Sequence, residues 1–120
     1  MTEIQNPKRQ YDLEERTFLF AERIREYVKK LPKTTSNVEY GRQLIRSSGS
    51  VASNYIEANE SLSKKDFVMR IKICRKEAKE SRLWLRLSEP SKAQENNRNE
   101  LITSATELMK IFGSIIEKSK

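Results

Sequence analysis

The sequence predicts an all-α protein folded as an antiparallel, up-down-up-down four-helix bundle. Apolar residues recur at spacings of three and four in four long segments, which is the periodicity of amphipathic helices. Short polar connectors separate these segments, so each helix is expected to turn back along the one before it. Three glycines and three prolines are too few for a turn-rich β architecture. At 120 residues and 36% hydrophobic content, the chain is expected to form one small domain.

The first helix is expected to begin near Asp12, a candidate N-cap with Glu15 three residues further on, and to stop before Pro32. Residues 1–10 are predicted to be a polar tail, which leaves residues 11–120 as the bundle domain. The predicted inward stripe of this helix consists of Leu13, Thr17, Phe20, Ile24, Tyr27 or Val28, and Leu31.

The second helix is expected to run from about Asn37 to Glu60. Its predicted inner side consists of Gly41, Leu44, Ile45, Ser48, Val51, Ala52, Tyr55 and Ile56. Each glycine in a helix interior costs about 1 kcal/mol relative to alanine. We therefore expect Gly41 and Gly49 to lie where another helix approaches closely.

The third helix is expected to be capped by Ser61 or Ser63 and to end near Ser88 or Glu89, before Pro90. Its predicted core stripe consists of Phe67, Ile71, Cys74, Ala78, Ser81 and Leu85. The fourth helix is expected over residues 98–117, after a polar loop, with an inner side of Leu101 or Ile102, Ala105, Leu108, Met109, Phe112, Ile115 and Ile116.

The composition excludes several kinds of chemistry. The chain has no histidine, which removes imidazole-based acid–base catalysis and imidazole metal sites. A single cysteine excludes an intramolecular disulfide and fits a reducing compartment. No segment resembles a signal peptide or approaches the roughly 20 apolar residues that span a bilayer, so a cytoplasmic location without membrane association is expected. The net charge of +7 permits an acidic partner such as nucleic acid.

Glu77 and Glu80 are three residues apart and could hold a divalent ion through oxygen ligands. They could equally pair with an arginine or lysine of a neighbouring helix or subunit, and the many nearby cations favour this interpretation. Cys74 lies on the core stripe and is expected to be a small apolar core residue. We therefore predict no metal site, no cofactor and no catalytic residue.

The segment from Ser61 to Ser88 holds the strongest functional signal. Nine lysines and arginines against three acids give this segment a charge of +6. Such a surface can neutralise phosphates, although a solvated face that keeps the protein soluble would look the same. Aromatic residues are absent from this flank, so binding would read the backbone and shape of a nucleic acid. The predicted nucleic-acid-binding residues are Lys65, Lys72, Arg75, Lys76, Lys79, Arg82 and Arg86.

The opposite flank of the third helix carries a tryptophan, which is a residue enriched in protein interfaces. A neighbouring helix of the same bundle could cover it, but we favour self-association because an isoleucine lies beside it on the helical wheel. The predicted oligomer interface consists of Ile73, Glu77, Glu80 and Trp84.

Three blocks of sequence resemble a known family, the four-helix-bundle proteins named after intervening sequences in bacterial large-subunit (23S) ribosomal RNA genes. The resemblance runs from about Tyr11 to Ile116 and is carried by LEERTF (13–18), SVASNY (50–55) and KEAKES-x-x-WLRL (76–87). It implies a bundle that assembles into a ring-shaped homo-oligomer, most often a pentamer. The family is also distantly similar to the accessory bundle protein of diversity-generating retroelements, which partners a reverse transcriptase. The family has no established catalytic residues that could be transferred to this chain.

The sequence thus predicts a non-enzymatic homo-oligomer that binds RNA or DNA through phosphates, with little sequence specificity. The main alternative is a protein-interaction scaffold or accessory factor, for example for a reverse transcriptase, with no direct role on nucleic acid. An enzyme, such as a metal-dependent nuclease that uses Glu77 and Glu80, is the least favoured interpretation.

Overall fold

A computed structural model describes residues 5–120, with side chains from residue 13 onward. Four helices make up the fold, and the part of the chain that is described contains no strand. They are α1 (Gln5–Lys29), α2 (Thr35–Asn59), α3 (Lys64–Leu87) and α4 (Glu95–Lys118), with a short 3₁₀ turn at Lys92–Gln94. None of these helices is long and apolar enough to cross a membrane. The predicted all-α bundle is confirmed.

Contacts between the helices show that neighbours run antiparallel. On α2, Asn37 near the start bonds to the carbonyl of Glu89 beyond the end of α3, whereas Asn54 near the end bonds to Arg70 near the start of α3. The same reversed register relates the other neighbouring pairs, as seen at Glu14–Asn59, Val28–Gly41, Arg82–Thr106, Arg75–Gly113, Arg16–Glu107 and Arg23–Glu100. Short connectors make this arrangement the natural one for successive helices.

Side-chain caps fix the starts of the two central helices. The hydroxyl of Thr34 accepts a hydrogen bond from the backbone N–H of Asn37, 3.1 Å away, at the start of α2. Ser63 does the same for Asp66 at the start of α3, also at 3.1 Å. Each cap satisfies one of the N–H groups that a helix leaves without an internal partner. The prediction of Ser63 as a cap is confirmed.

The prediction that the first helix begins near Asp12 is wrong, because α1 already begins at Gln5. Pro7 lies in the first turn, where the missing N–H of proline would have no intrahelical partner in any case. Proline is therefore compatible with this early start. Residues 5–10 of the predicted polar tail belong to α1, and residues 1–4 lie outside the described residues.

The core follows the predicted stripes closely on α1, α3 and α4. The buried apolar residues are Leu13, Phe20, Ile24, Tyr27, Leu31, Leu44, Val51, Tyr55, Ala58, Ile71, Cys74, Ala78, Leu85, Leu101, Ala105, Leu108, Phe112 and Ile116. On α2 the prediction is partly wrong, because Ile45 and Ile56 are 45% and 50% exposed. Ser47 and Ala58 are buried instead, since the buried face of α2 is rotated toward α3.

The two glycines of α2 differ in their surroundings. A Cβ atom on Gly41 would come within 2.9 Å of the Val28 side chain, so the close approach of α1 depends on this glycine. A Cβ atom on Gly49 would meet nothing within 4 Å. The expected close approach is confirmed at Gly41, whereas at Gly49 it is not seen among the described residues.

A buried polar cluster ties the two loops together at one end of the bundle. The hydroxyls of Tyr27 and Ser88 are 2.6 Å apart. Asn37 donates to the carbonyls of Pro32 and Glu89, and its own side-chain oxygen accepts the backbone N–H of Glu89 at 2.9 Å. Because these bonds satisfy buried backbone groups of both loops, they fix where α2 begins and where α3 ends.

Candidate nucleic-acid interface on the third helix

Two of the three acids of α3 face α2, where one arginine neutralises both. Arg46 of α2 places one guanidinium nitrogen 3.3 Å from Glu77 and the other 2.8 Å from Glu80. Glu77 is buried, and an arginine at this distance compensates its charge. The two acids therefore pair with a cation of a neighbouring helix, as the favoured interpretation had it. Among the described residues no three potential metal ligands cluster.

Hydroxyl and amide groups complete the seam between α2 and α3. The buried hydroxyls of Ser47 and Ser81 are 2.7 Å apart, and Ser81 also donates to the carbonyl of Glu77. Nearer the start of α3, Arg70 donates to the side chain of Asn54 at 2.9 Å. Small hydroxyl residues let the two helices approach closely while their polar atoms stay paired. These bonds hold α3 in a fixed position relative to α2.

The residues predicted as an oligomer interface also lie on the side of α3 that faces α2. Trp84 stacks on Tyr40 of α2, with ring centroids 6.0 Å apart, and Ile73 is half-buried. Glu77 and Glu80 bond to Arg46 of the same chain. A role for the four residues between subunits stays a prediction. Sequence reasoning missed their partners on α2, because a helical wheel of α3 alone does not show which neighbouring side chains reach it.

The predicted nucleic-acid-binding residues occupy the other side of α3. Five of them alternate at spacings of three and four, and we call them the basic row: Lys72, Arg75, Lys79, Arg82 and Arg86. Lys65 and Lys76 lie further around the helix, away from α4. Six of these seven predicted residues are exposed and Arg82 is half-buried. Within the side chains described, from residue 13 on, none of the seven forms an ion pair.

Two arginines of the basic row lie against α4, where they meet uncharged groups. Arg82 donates to the hydroxyl of Thr106 at 3.2 Å. The guanidinium of Arg75 lies beside Gly113, with a nitrogen 3.9 Å from the position that a Cβ atom would take. Neither contact neutralises the arginine, so both retain their full charge at the surface. No pattern in the sequence predicted that Thr106 or Gly113 would lie beside this row.

Two of the four acids of α4 face α1. Glu107 pairs with Arg16 and Glu100 pairs with Arg23, the latter at 3.3 Å, and both acids lie across from the first helix. The other two lie at the ends of α4, where Glu95 is exposed in the first turn and Glu117 pairs with Lys120 at 3.0 Å. Among the described residues, no carboxylate of α4 forms an ion pair with the basic row. The spacing of seven residues between Glu100 and Glu107 was the available sequence signal for their common direction. The result is a surface suited to binding a polyanion.

Cys74 does not contribute a reactive group. Its thiol is buried between the helices and donates to the carbonyl of Val51 at 3.5 Å. Burial raises the pKa of the Cys74 thiol to about 12, so the thiolate needed for nucleophilic chemistry does not form near neutral pH. The prediction of a small apolar core residue is confirmed.

Comparison with known proteins identifies relatives by sequence and by fold. The family described as 23S rRNA-intervening sequence protein matches residues 9–114. A crystal structure of a protein of unknown function from the S23 ribosomal protein family of Bacteroides thetaiotaomicron superposes with a TM-score of 0.77. The two sequences are 28% identical, and the match covers 90% of this chain and 97% of that chain. No curated protein matches this chain significantly.

Proposed function

The chain belongs to the 23S rRNA-intervening sequence protein family. We propose that it is a non-enzymatic homo-oligomer that binds RNA or DNA. The binding surface is the basic row of α3, together with Lys65 and Lys76. The observation that carries the proposal is the segregation of charge. Arg46 of α2 neutralises Glu77 and Glu80 of α3, and α1 neutralises Glu100 and Glu107 of α4, whereas the basic row forms no ion pair among the described side chains. Binding proceeds by phosphate neutralisation with little reading of bases.

Two unlike apolar surfaces support self-assembly. The α2 patch consists of Val38, Ile45 and Ile56, with Gly49 between the two isoleucines. The α3 patch consists of Met69, Leu83 and Leu87. These six side chains are 44–56% exposed in the single chain. Contact between unlike surfaces of successive copies is heterologous, and heterologous contacts close into rings when the rotation between copies allows it.

The proposed ring, a pentamer by analogy with the resemblance described above, would repeat the basic row in every subunit and raise avidity for one long polyanion.

Binding is tested with fluorescently labelled structured RNA in solutions of increasing salt. Each phosphate contact releases a condensed counterion, so the affinity should fall by roughly 10³-fold or more between 50 and 200 mM salt if six or more contacts form. An affinity that does not change with salt, or no binding at low salt, contradicts the proposal. A protein partner that remains bound after nuclease treatment, with no affinity for RNA, would favour the scaffold alternative.

Assembly is tested by native mass spectrometry of the variant Ile45→Glu/Ile56→Glu. We expect the wild-type protein to form an oligomer and this variant to be monomeric, because two buried charges in the α2 patch would oppose contact. Leu62→Glu is the matched control, since Leu62 is 99% exposed and lies outside both patches. A monomeric wild-type protein at micromolar concentration contradicts self-assembly, and an oligomer that survives both substitutions contradicts this interface.

A further inference from the structure

The basic row is straight and rigid. Its five residues extend over about 21 Å, at roughly 1.5 Å per residue of an α-helix. Helix α3 contains no glycine or proline that would bend it, and Ser63 caps its start. The bonds of Arg46 and Ser47 to α3 hold this helix against α2. The charges of the row therefore keep fixed spacings when a ligand arrives.

Among the side chains described, from residue 13 on, none places an aromatic ring beside the row on which a base could stack. Trp84 and Tyr40 stack on each other at the α2–α3 seam, away from the row. Of the other aromatic side chains described, Phe20, Tyr27, Tyr55 and Phe112 are buried, Phe67 packs against the core and Phe18 is exposed on α1. Proteins that bind single strands obtain much of their affinity from base–aromatic stacking, which this surface cannot supply.

A double helix suits a rigid row of cations better than a single strand does. A duplex such as B-DNA carries about one phosphate charge per 1.7 Å of axis, so about twelve phosphates fall within the length of the row. The duplex holds these phosphates in fixed positions, as the bundle holds its cations. A flexible single strand must lose conformational freedom to match the same row, and no stacking compensates the loss.

We propose that the basic row binds the phosphate backbone of a nucleic-acid double helix in preference to a single strand. This inference rests on the proposed function and narrows it to one class of ligand. RNA and DNA duplexes share the phosphate rows that the surface recognises. Where the basic row touches α4, its neighbours Thr106 and Gly113 are uncharged, so they do not neutralise Arg82 and Arg75.

Fluorescence anisotropy with three probes of equal length tests the inference. The probes are an RNA duplex and a DNA duplex of about 20 base pairs, roughly two helical turns, and an oligouridine that does not form a duplex. We expect at least one duplex to bind about tenfold or more tightly than oligouridine at about 50 mM salt, with a steeper salt dependence. Comparison of the two duplexes shows which helical form fits the row better.

The variant Arg75→Gln/Lys79→Gln/Arg86→Gln locates the site. It should lose most of the duplex affinity, and its salt slope should fall by up to about 2.7, or 0.9 for each cation removed. The control Lys30→Gln/Lys33→Gln/Lys92→Gln removes the same charge from exposed positions outside α3 and should lose much less. Circular dichroism checks that both variants fold.

Different outcomes would overturn the duplex preference and the proposed binding of nucleic acid. Oligouridine that binds as tightly as the tighter-binding duplex overturns the duplex preference and leaves the proposed function standing. Absence of binding to all three probes overturns the proposed function itself. Equal losses in the row variant and its control would show that total charge, and not the basic row, determines binding, which overturns the assigned site.

Discussion

Helix α3 meets its two neighbours by different means. Toward α2 its acids are neutralised by Arg46, and its buried hydroxyl is paired with Ser47. Toward α4 its arginines meet a hydroxyl and a glycine, and no ion pair forms there among the described residues. The first seam is held by paired charges, whereas the second leaves charge available at the surface. The difference shows that one helix can carry polar residues that stabilise the bundle on one side and charged residues that are available to a ligand on the other.

The basic row opposes the stability of its own helix. Like charges three or four residues apart on a helix destabilise it by about 0.2–0.5 kcal/mol per pair. The row contains four such neighbouring pairs, so the total cost is roughly 1–2 kcal/mol. A bound polyanion would remove this repulsion. We therefore expect that removing a charge on the α2 side of α3 lowers the stability of the fold. Removing a charge from the basic row should instead raise stability and lower the affinity for nucleic acid.

The largest effect is expected when acids are placed beside the basic row. In Thr106→Glu/Gly113→Glu, new carboxylates face Arg82 and Arg75, as Glu107 already faces Arg16 on the other side of α4. With two cations neutralised, the affinity for nucleic acid at low salt should fall by about 10- to 100-fold, and the salt slope by about 1.8. Anisotropy titrations measure both quantities.

The control is Thr106→Gln/Gly113→Gln, which adds similar volume without charge. Gly113 has no positive φ angle, so side chains are tolerated there and both variants should fold. Equal affinity of the acidic variant and the wild type would contradict the assigned surface.

The next effect concerns the paired seam. Arg46→Ala leaves the buried Glu77 carboxylate without its cation, which should lower the free energy of unfolding by about 2 kcal/mol. Urea denaturation measures the loss. Arg25→Ala is the control, because its pairs with Glu22 and Glu26 are exposed and should contribute less than about 1 kcal/mol. If both variants lose equally little, the ion pair of Arg46 does not stabilise the α2–α3 seam as described.

Between the two sides lies the core face, where Cys74 makes stability depend on pH. The folded thiol has a pKa of about 12 against 9.0 when exposed, so the unfolded chain releases its proton first as the pH rises. Stability is therefore lost between pH 9 and 12, by about 1 kcal/mol from pH 9 to 10. Burial also raises the pKa of Tyr27 and Tyr55, which adds to the loss at higher pH.

Urea titrations at several pH values test this expectation. Cys74→Ala lowers stability near neutral pH, because it leaves a small cavity, but its stability should fall less steeply above pH 9. An unchanged slope in this variant would assign the alkaline dependence to the tyrosines alone.

The smallest effect is expected when one charge in the basic row is reversed. Lys79→Glu in the centre of the basic row replaces repulsion with Arg75 and Arg82 by attraction, so stability should rise by about 0.5 kcal/mol. The affinity for nucleic acid should fall in the same variant. Thermal denaturation and anisotropy give the two readouts, and Lys79→Gln should lie between the wild type and the acidic variant in both. A loss of stability would show that the row is not under repulsion.

Much of this bundle was predictable from local pattern. The apolar spacing placed Ile24, Ile71 and Phe112 in the core, and Ser63 was recognised as a cap. The prediction failed at Ile45 and Ile56, because the stripe of α2 is broad and the spacing alone does not show which edge the neighbouring helix covers. That choice depends on the rotation of α2 about its axis, which is set by contacts with α3.

The sequence by itself determined the four helices, the charge of α3 and the family, because these depend on residues close together in the chain. Only the tertiary structure decided the partner of each charge. Arg46 pairs with Glu77 and Arg16 with Glu107 across 31 and 91 residues, whereas Arg75 and Arg82 pair with no acid among the side chains described. Helical periodicity specifies which face a side chain occupies, but the pairing of faces follows from the packing of the whole core.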